Sequence, residues 1–322
     1  MTRSPADVTM LRALAQSGGT ARRLGVVGTM VWDTIYDRDP AQHAVHEWGG
    51  IAYSLAGLDA TLGPGWQIVP LIKVGRDLSV RAAEFLGSLT HVAPGARFLE
   101  VPAPNNRVTL RYLDAARRCE QLTGCVPPWT WAELGPLVRD LDAIYLNFIS
   151  GYEMDLATAQ QLRDAFPRFL YADLHSLFLD TAPDGTRIPH GLPRASEWFG
   201  CFDMIQVNEE ELAQLGPDPL ATAASALAQG CETLLVTLGP RGAAYFTGDP
   251  VRTRRIPVEP VETGGDPTGC GDVLGASVVA ALLGGAEVED ALRLGTRMGA
   301  RNVTHKGATG LRDHLLGRLS LA

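Results

Sequence analysis

The chain has 322 residues, 46% hydrophobic and 20% charged, with 28 Lys and Arg against 36 Asp and Glu for a formal net charge of −8. At about 150 residues per domain this predicts two domains, or one large α/β domain with an appendage, and a core that needs no disulfide or metal staple. The acidic balance argues against nucleic acid or an anionic membrane surface as partner, and no apolar run approaches the ~18 residues of a membrane span. The five cysteines, Cys119, Cys125, Cys201, Cys231 and Cys270, lack zinc-like or CxxC spacing. With no apolar stretch resembling a secretory signal near Arg3, Asp7 and Arg12, they fit a reduced, cytoplasmic compartment. Neither lysine, Lys73 or Lys306, sits in Gly-Lys-Ser/Thr, so there is no P-loop.

Residues 1–23 read as a polar N-terminal extension with a short helical pattern around Leu11–Leu14. Residues 24–28 are apolar on both faces and predict a buried strand. A helix follows over 51–62, stopped by Gly63-Pro64-Gly65. Short apolar runs at 68–72, 143–148, 169–172, 204–207 and 233–237 alternate with helical patterns at 156–166, 209–215 and 219–229. Strands alternating with helices predict βαβ units and a mainly parallel sheet covered on both faces. Residues 97–125 differ: 98–101 and 108–113 alternate apolar with polar, as antiparallel strands with one solvated face do, and with 34–48 they are expected to form a lid. Pro127-Pro128-Trp129 marks the return to the main body.

Gly264-Gly265-Asp266-Pro267-Thr268-Gly269-Cys270-Gly271-Asp272 then leads into a small-residue apolar stretch over 273–283, stopped by Gly284-Gly285. The pattern is a glycine turn opening a buried helix. There the N–H groups of Gly269, Cys270 and Gly271, with the positive end of the helix dipole, make a pocket for anionic oxygens. An aspartate beside such a pocket repels a static phosphate. It makes chemical sense if Asp272 takes a proton from an incoming hydroxyl while the amides stabilise the transferring phosphoryl group. Taken alone, Asp272 reads more readily as a carboxylate that merely caps the helix. A dinucleotide site is excluded by spacing, since the third glycine, Gly275, falls one residue late.

Asp266–Asp272 resembles the second signature of the ribokinase-like (PfkB) carbohydrate kinases. Three more segments agree in order: Gly49-Gly50 with the helix after it, Asn208-Glu209-Glu210-Glu211, and 234–242. The resemblance covers residue 24 to the C-terminus. It implies a three-layer αβα fold with a mainly parallel central sheet and a small β lid. It further implies an ATP-dependent kinase of a sugar or nucleoside, with Mg²⁺ and, as in some members, K⁺ as cofactors. By this likeness Asp272 is the base, and Gly269, Cys270 and Gly271 form the anion hole. Asp33, on the loop after the first strand, binds acceptor hydroxyls together with Gly49, Gly50, Ser54 and Asn106. Thr237, Gly239, Gly242 and Asn302 face the nucleotide. Asn208, Glu211 and Asp173 hold the metal, and 306–310 with the Asp266 loop form the monovalent-cation site. Pairing of lid strands predicts a homodimer.

Several residues keep a second reading. Asn208 and Glu211 also fit a capping box, and Trp32 and Trp48 fit either stacking on a substrate or packing. Arg107 and Arg111 fit lid contacts or exposed strand positions, His175 reads as a structural histidine, and Cys270 as an oxidisable thiol or a small hydrophobe. Ser54, where many members carry Asn, and Cys270, where they carry Ala, leave room for a non-catalytic sugar- or nucleotide-binding module.

Overall fold

The first strand runs three times longer than its apolar stretch predicts. In a computed structural model, which describes residues 21–36, 43–112, 118–248, 250–258 and 265–318, β1 spans Arg22–Tyr36. Its first part, Arg22–Thr29, pairs in parallel with β3 (Trp66–Gly75). At Met30 it changes partner and runs antiparallel to β2 (Val45–Gly50), register Met30↔Gly50 to Ile35↔Val45. Asp33 therefore lies within a strand, not on a loop. Arg22 and Arg23 belong to the sheet as well, and the helical pattern at 11–14 falls outside the described residues.

Helix α1 (Ile51–Thr61) follows, then α2 (Ser79–Gly87), β4 (Leu99–Val101), β5 (Arg107–Tyr112) and β6 (Arg118–Thr123). Next come α3 (Trp131–Val138), β7 (Ala143–Asn147), α4 (Leu156–Ala165), β8 (Phe169–Asp173), and the hairpin β9 (Leu179–Thr181) with β10 (Arg187–Pro189). The second half runs through α5 (Ala195–Phe199), β11 (Met204–Asn208), α6 (Glu209–Leu215), α7 (Pro219–Ala228), β12 (Thr233–Thr237), β13 (Ala243–Thr247) and β14 (Arg252–Ile256). It closes with α8 (Cys270–Leu283), α9 (Val288–Asn302) and α10 (Leu311–Leu315).

The main sheet has the order β14-β13-β12-β11-β8-β7-β1-β3-β4, parallel except for β13 and β14 at one edge. Helices cover both faces, giving the three-layer αβα fold. Alternation along β1 shows it: Leu24 and Val26 join the core under α1, α8 and α10, whereas Val27 joins the core under α3, α4 and α7. Each fully buried Leu, Ile or Val contributes roughly 1.5–3 kcal/mol, and neither face of the sheet is left to solvent. No described helix is long and apolar enough to cross a membrane.

The lid region departs from expectation in two ways. Leu99–Val101, read as part of an antiparallel lid, instead extends the main sheet in parallel with β3. Beyond it, β5 pairs in parallel with the far end of β1 and antiparallel with β6. The small sheet is thus β2-β1-β5-β6, packed on Val31, Ile35, Val108 and Leu110. Two-residue alternation reveals a half-buried strand but not its partner or direction. The C-terminal segment ties into the same sheet: the Ala308 N–H donates to the Trp48 carbonyl (3.0 Å) and the Thr309 hydroxyl to Glu47 Oε1 (2.6 Å).

Candidate active site

The glycine turn is held from three sides. Gly269 has φ +76°, ψ −1°, the third position of a turn closed by Cys270 N–H to Pro267 C=O at 3.2 Å. A Cβ on Gly269 would lie 2.3 Å from the Tyr53 ring. The Asp266 carboxylate accepts from Thr268 N–H (2.9 Å), and Asn302 Nδ2 donates to Thr268 C=O (2.8 Å) and reaches Cys270 Sγ (3.4 Å). Gly295 and Gly299 let α9 approach α8 closely, because Cβ atoms there would meet the carbonyls of Leu274 and Cys270 at 2.9 Å. Helix α8 is therefore fixed in its depth against the sheet, and its N-terminus with it.

Of the three amides expected to form the anion pocket, that of Cys270 is already committed to Pro267. Those of Gly269 and Gly271 have no acceptor among the described residues. Burial pushes the Cys270 thiol up to about 11, so it is a neutral, half-buried thiol at neutral pH. Asn302, expected to face the nucleotide, is fully buried and braces the turn from behind.

Asp272 lies in the first turn of α8, half-buried, where the helix dipole favours a carboxylate. Its Oδ1 accepts a 2.6 Å hydrogen bond from Asn147 Nδ2. Asn147 ends β7, is fully buried, and leaves its own Oδ1 without a partner. The sequence reading missed it, although an amide closing the all-apolar run Ala143–Leu146 marks the carboxyl end of a parallel strand, where such sheets place their sites. Ser54 does not reach a cleft. It is fully buried beneath Asn147, with its hydroxyl 3.0 Å from Tyr145 Oη and 3.4 Å from Asn147 Nδ2. Tyr145 and Tyr171 stack below at 4.7 Å, and burial holds both phenols well above their usual range.

An acidic cluster lies beside this turn. Asp173 ends β8, and Gln206 Nε2 donates both to it (2.6 Å) and to the Gly271 carbonyl (3.1 Å), joining cluster and turn. Burial, then the charges of Glu211 and Asp272, raise Asp173 to about 7 although His175 opposes the shift. Asn208 and Glu211 form the capping box of α6: Asn208 Oδ1 accepts from Glu211 N–H (2.9 Å) and Glu211 Oε2 from Asn208 N–H (2.7 Å). Glu211 Oε1 meets His175 Nδ1 at 2.7 Å. Burial works against charge on His175, but Glu211 and Asp173 outweigh it and raise the imidazole to about 9. His175 is thus half of an ion pair.

The donor set fits Mg²⁺ only through its water shell. Both Glu211 oxygens are engaged, and no group of three His, Cys, Asp or Glu gathers as direct ligands among the described residues. Yet the mutual repulsion recorded in Asp173 is what a hydrated divalent cation relieves, and Mg²⁺ keeps several waters.

On β1, Asp33 is only 4% exposed, and its carboxylate lies where a Cβ on Gly49 would fall, 1.8 Å from Oδ2. Gly50 takes φ +59° before α1. Asn106 is buried, its Oδ1 accepting from Val126 N–H (3.1 Å) and its carbonyl from Trp32 N–H (3.1 Å). Trp32 and Trp48 pack edge-to-face at 5.1 Å, Arg81 covers Trp32, and Arg111 lies over Tyr36, so each of these five side chains has a packing partner. At the other end, Thr237 closes β12, and Gly239 (φ +56°) and Gly242 (φ +94°) bracket a tight turn against Ile256. Asp266 is tied to Val303 through its N–H (2.8 Å), three residues before Lys306.

Residues 150–314, just over half the chain, match the pfkB family carbohydrate kinase model. The chain belongs to the pfkB family. This pfkB chain is 38% identical over 119 residues to a ribokinase of Bacillus subtilis, a match covering 37% of this chain and 39% of that protein. It thus aligns with well under two thirds of that relative's length. Two solved structures share the fold. A Burkholderia thailandensis nucleoside kinase in complex with inosine has TM-score 0.71 and 18% identity, covering 92% of this chain and 96% of that one. An Arabidopsis thaliana ribokinase complexed with ribose and ATP has TM-score 0.69 and 18% identity, covering 94% and 100%.

Proposed function

We propose that this pfkB protein transfers the terminal phosphoryl group of ATP to an alcohol of a sugar or nucleoside. One observation carries the reading: Asp272 is half-buried at a helix N-terminus beside two amides that have no acceptor among the described residues, with one oxygen held by Asn147. Asp272 takes the hydroxyl proton as the acceptor oxygen bonds to phosphorus and the bond to the ADP oxygen breaks. The Gly269 and Gly271 amides receive the phosphoryl oxygens, and the α8 dipole favours their charge. Asp173 and Glu211, with Asn208 fixing Glu211, would hold Mg²⁺ through its water shell, and the ion would neutralise charge on the phosphates.

In this reading Asp33, Gly49 and Gly50 line the acceptor side, and Thr237, Gly239 and Gly242 the nucleotide side. A monovalent cation, K⁺, is assigned to 306–310 with the Asp266 loop. The kinase domain begins by residue 22, where β1 enters the sheet, with the lid from 34–48 and 107–125, and copies pair through the lid in the cytoplasm. The test is ADP formation from ATP across sugars and nucleosides, repeated with Asp272→Asn. Loss of a positioned base lowers kcat by about 10²–10⁴; full turnover by the variant removes Asp272 from that role. The committed Cys270 amide and the buried Ser54 favour a second reading, a binding module without turnover. Calorimetric ligand binding with no ADP from any acceptor supports it.

A further inference from the structure

Three deeply placed cations have a carboxylate within 3 Å. Lys73 meets Glu133 at 2.9 Å, Arg163 meets Asp203 at 2.8 Å and Arg312 meets Asp59 at 2.6 Å. Arg187 does not. It is 8% exposed, forms no ion pair among the described residues, and its Nε has no hydrogen-bond partner. Its remaining contacts are neutral: Nη1 donates to the Thr181 hydroxyl (2.6 Å), and Nη2 makes a long bond to the Ser176 carbonyl (3.4 Å). Buried charges in folded proteins are normally paired, because an unpaired one keeps its desolvation cost. Here the cation has no anion opposite it among the described residues.

The position of Arg187 says where that anion belongs. Arg187 sits on the β9–β10 hairpin directly after the turn that carries His175. The hairpin is bound to lid strand β6, with Leu122 N–H donating to Gly185 C=O at 2.8 Å. Ser176, beneath the guanidinium, donates its hydroxyl to the Ile149 carbonyl (2.7 Å), and Ile149 Cγ2 lies 2.7 Å from where a Cβ on Gly50 would be. One line of contacts therefore runs from the acceptor glycine to Arg187. At the proposed site Asp173, Glu211 and Asp272 lie close enough for their charges to act on one another, an assembly that repels an anionic acceptor unless a cation offsets it.

Resting on the kinase reading of the cleft, we infer that Arg187 receives an oxyanion on the acceptor, a carboxylate or phosphate monoester remote from the hydroxyl that is phosphorylated. The substrate class is then an acidic sugar derivative, not a neutral sugar. A fork-shaped guanidinium suits either oxyanion, and the loss of one charge-assisted hydrogen bond corresponds to about ten- to a hundredfold in affinity.

The test compares wild type with Arg187→Met and Arg187→Lys. The probes are D-gluconate against D-glucose, D-ribose 5-phosphate against D-ribose, and inorganic phosphate alone. The expected result is a rise in melting temperature for wild type with gluconate or ribose 5-phosphate and none with the neutral partners. Whichever anion acts identifies carboxylate or phosphate as the group. That rise is lost in Arg187→Met and reduced in Arg187→Lys, whereas any shift from inorganic phosphate at the glycine turn persists in both. The apo melting temperature of Arg187→Met stays equal to or above wild type, since an unpaired buried charge has been removed. A fall of several degrees in the apo variant, or anion-induced shifts unchanged by either substitution, overturns the assignment and makes Arg187 a structural tie. An Arg187-dependent shift without ADP formation from any acceptor leaves the oxyanion site standing and removes the kinase reading alone.

Discussion

Replacing Gly269 with Ala probes the turn on which the proposed chemistry rests. Two costs add. A side chain at φ +76° carries roughly 1–2 kcal/mol for the left-handed conformation. The new methyl also falls 2.3–2.6 Å from the Tyr53 ring. Tyr53 is 1% exposed on the buried face of α1, so the ring has nowhere to swing, and overpacking of this kind costs about 1–3 kcal/mol. Together they come to about 2–5 kcal/mol, which for a chain of this size lowers the melting temperature on the order of 5–10 °C. Gly87→Ala is the control: it lies in α2 with open space around its Cβ, and it gains slightly in helix propensity. Scanning calorimetry of the two variants gives the stability comparison, and ADP release under saturating ATP the functional one. Because a displaced turn moves the Gly271 amide, activity falls more steeply than stability in Gly269→Ala. A melting temperature within 1 °C of wild type would refute the geometry assigned to this turn.

Other outcomes follow from neighbouring contacts. Asn147→Leu removes the 2.6 Å bond to Asp272 together with an unpartnered buried oxygen, so kcat drops about tenfold while stability holds; an unchanged kcat removes Asn147 from positioning the base. His175 is raised to about 9, so the stability it contributes is complete below its ordinary 6.5 and is lost as pH climbs through 9. Wild type accordingly loses melting temperature relative to His175→Gln between pH 6.5 and 9, and parallel curves contradict the pair. The Thr130 amide first, then Lys73, hold Glu133 down to about 2, so its contribution is present above 4.5 and fades toward pH 2. Acid melts of Glu133→Gln should lack that slope.

The central sheet was legible because parallel strands buried on both faces read as unbroken apolar runs. Residues 143–147, 169–173, 204–208 and 233–237 fall within a residue of expectation. The glycine turn and α8 were legible for a local reason, since only glycine fits the left-handed position before a small-residue helix. What stayed hidden depends on depth. Ser54 and Asn302 carry the right donors, but only the stacking of α1 on β7 and of α9 on α8 places them inside. Asn147 was overlooked because one amide at a strand end carries no spacing signature. Strand β4 was misjudged because its alternation is equally compatible with an edge of either sheet.

Strand β1 has a mechanical consequence. The same fifteen residues serve the main sheet up to Thr29 and the small sheet from Met30 onward, without an intervening loop. The cover over the cleft therefore has no hinge of its own at this point. It can swing only by twisting a continuous ribbon of backbone, and Asp33, three residues past the change of partner, must travel with it. Opening and closing would then reorient an acceptor-side carboxylate in the same stroke, so that admitting a ligand and gripping it are one motion.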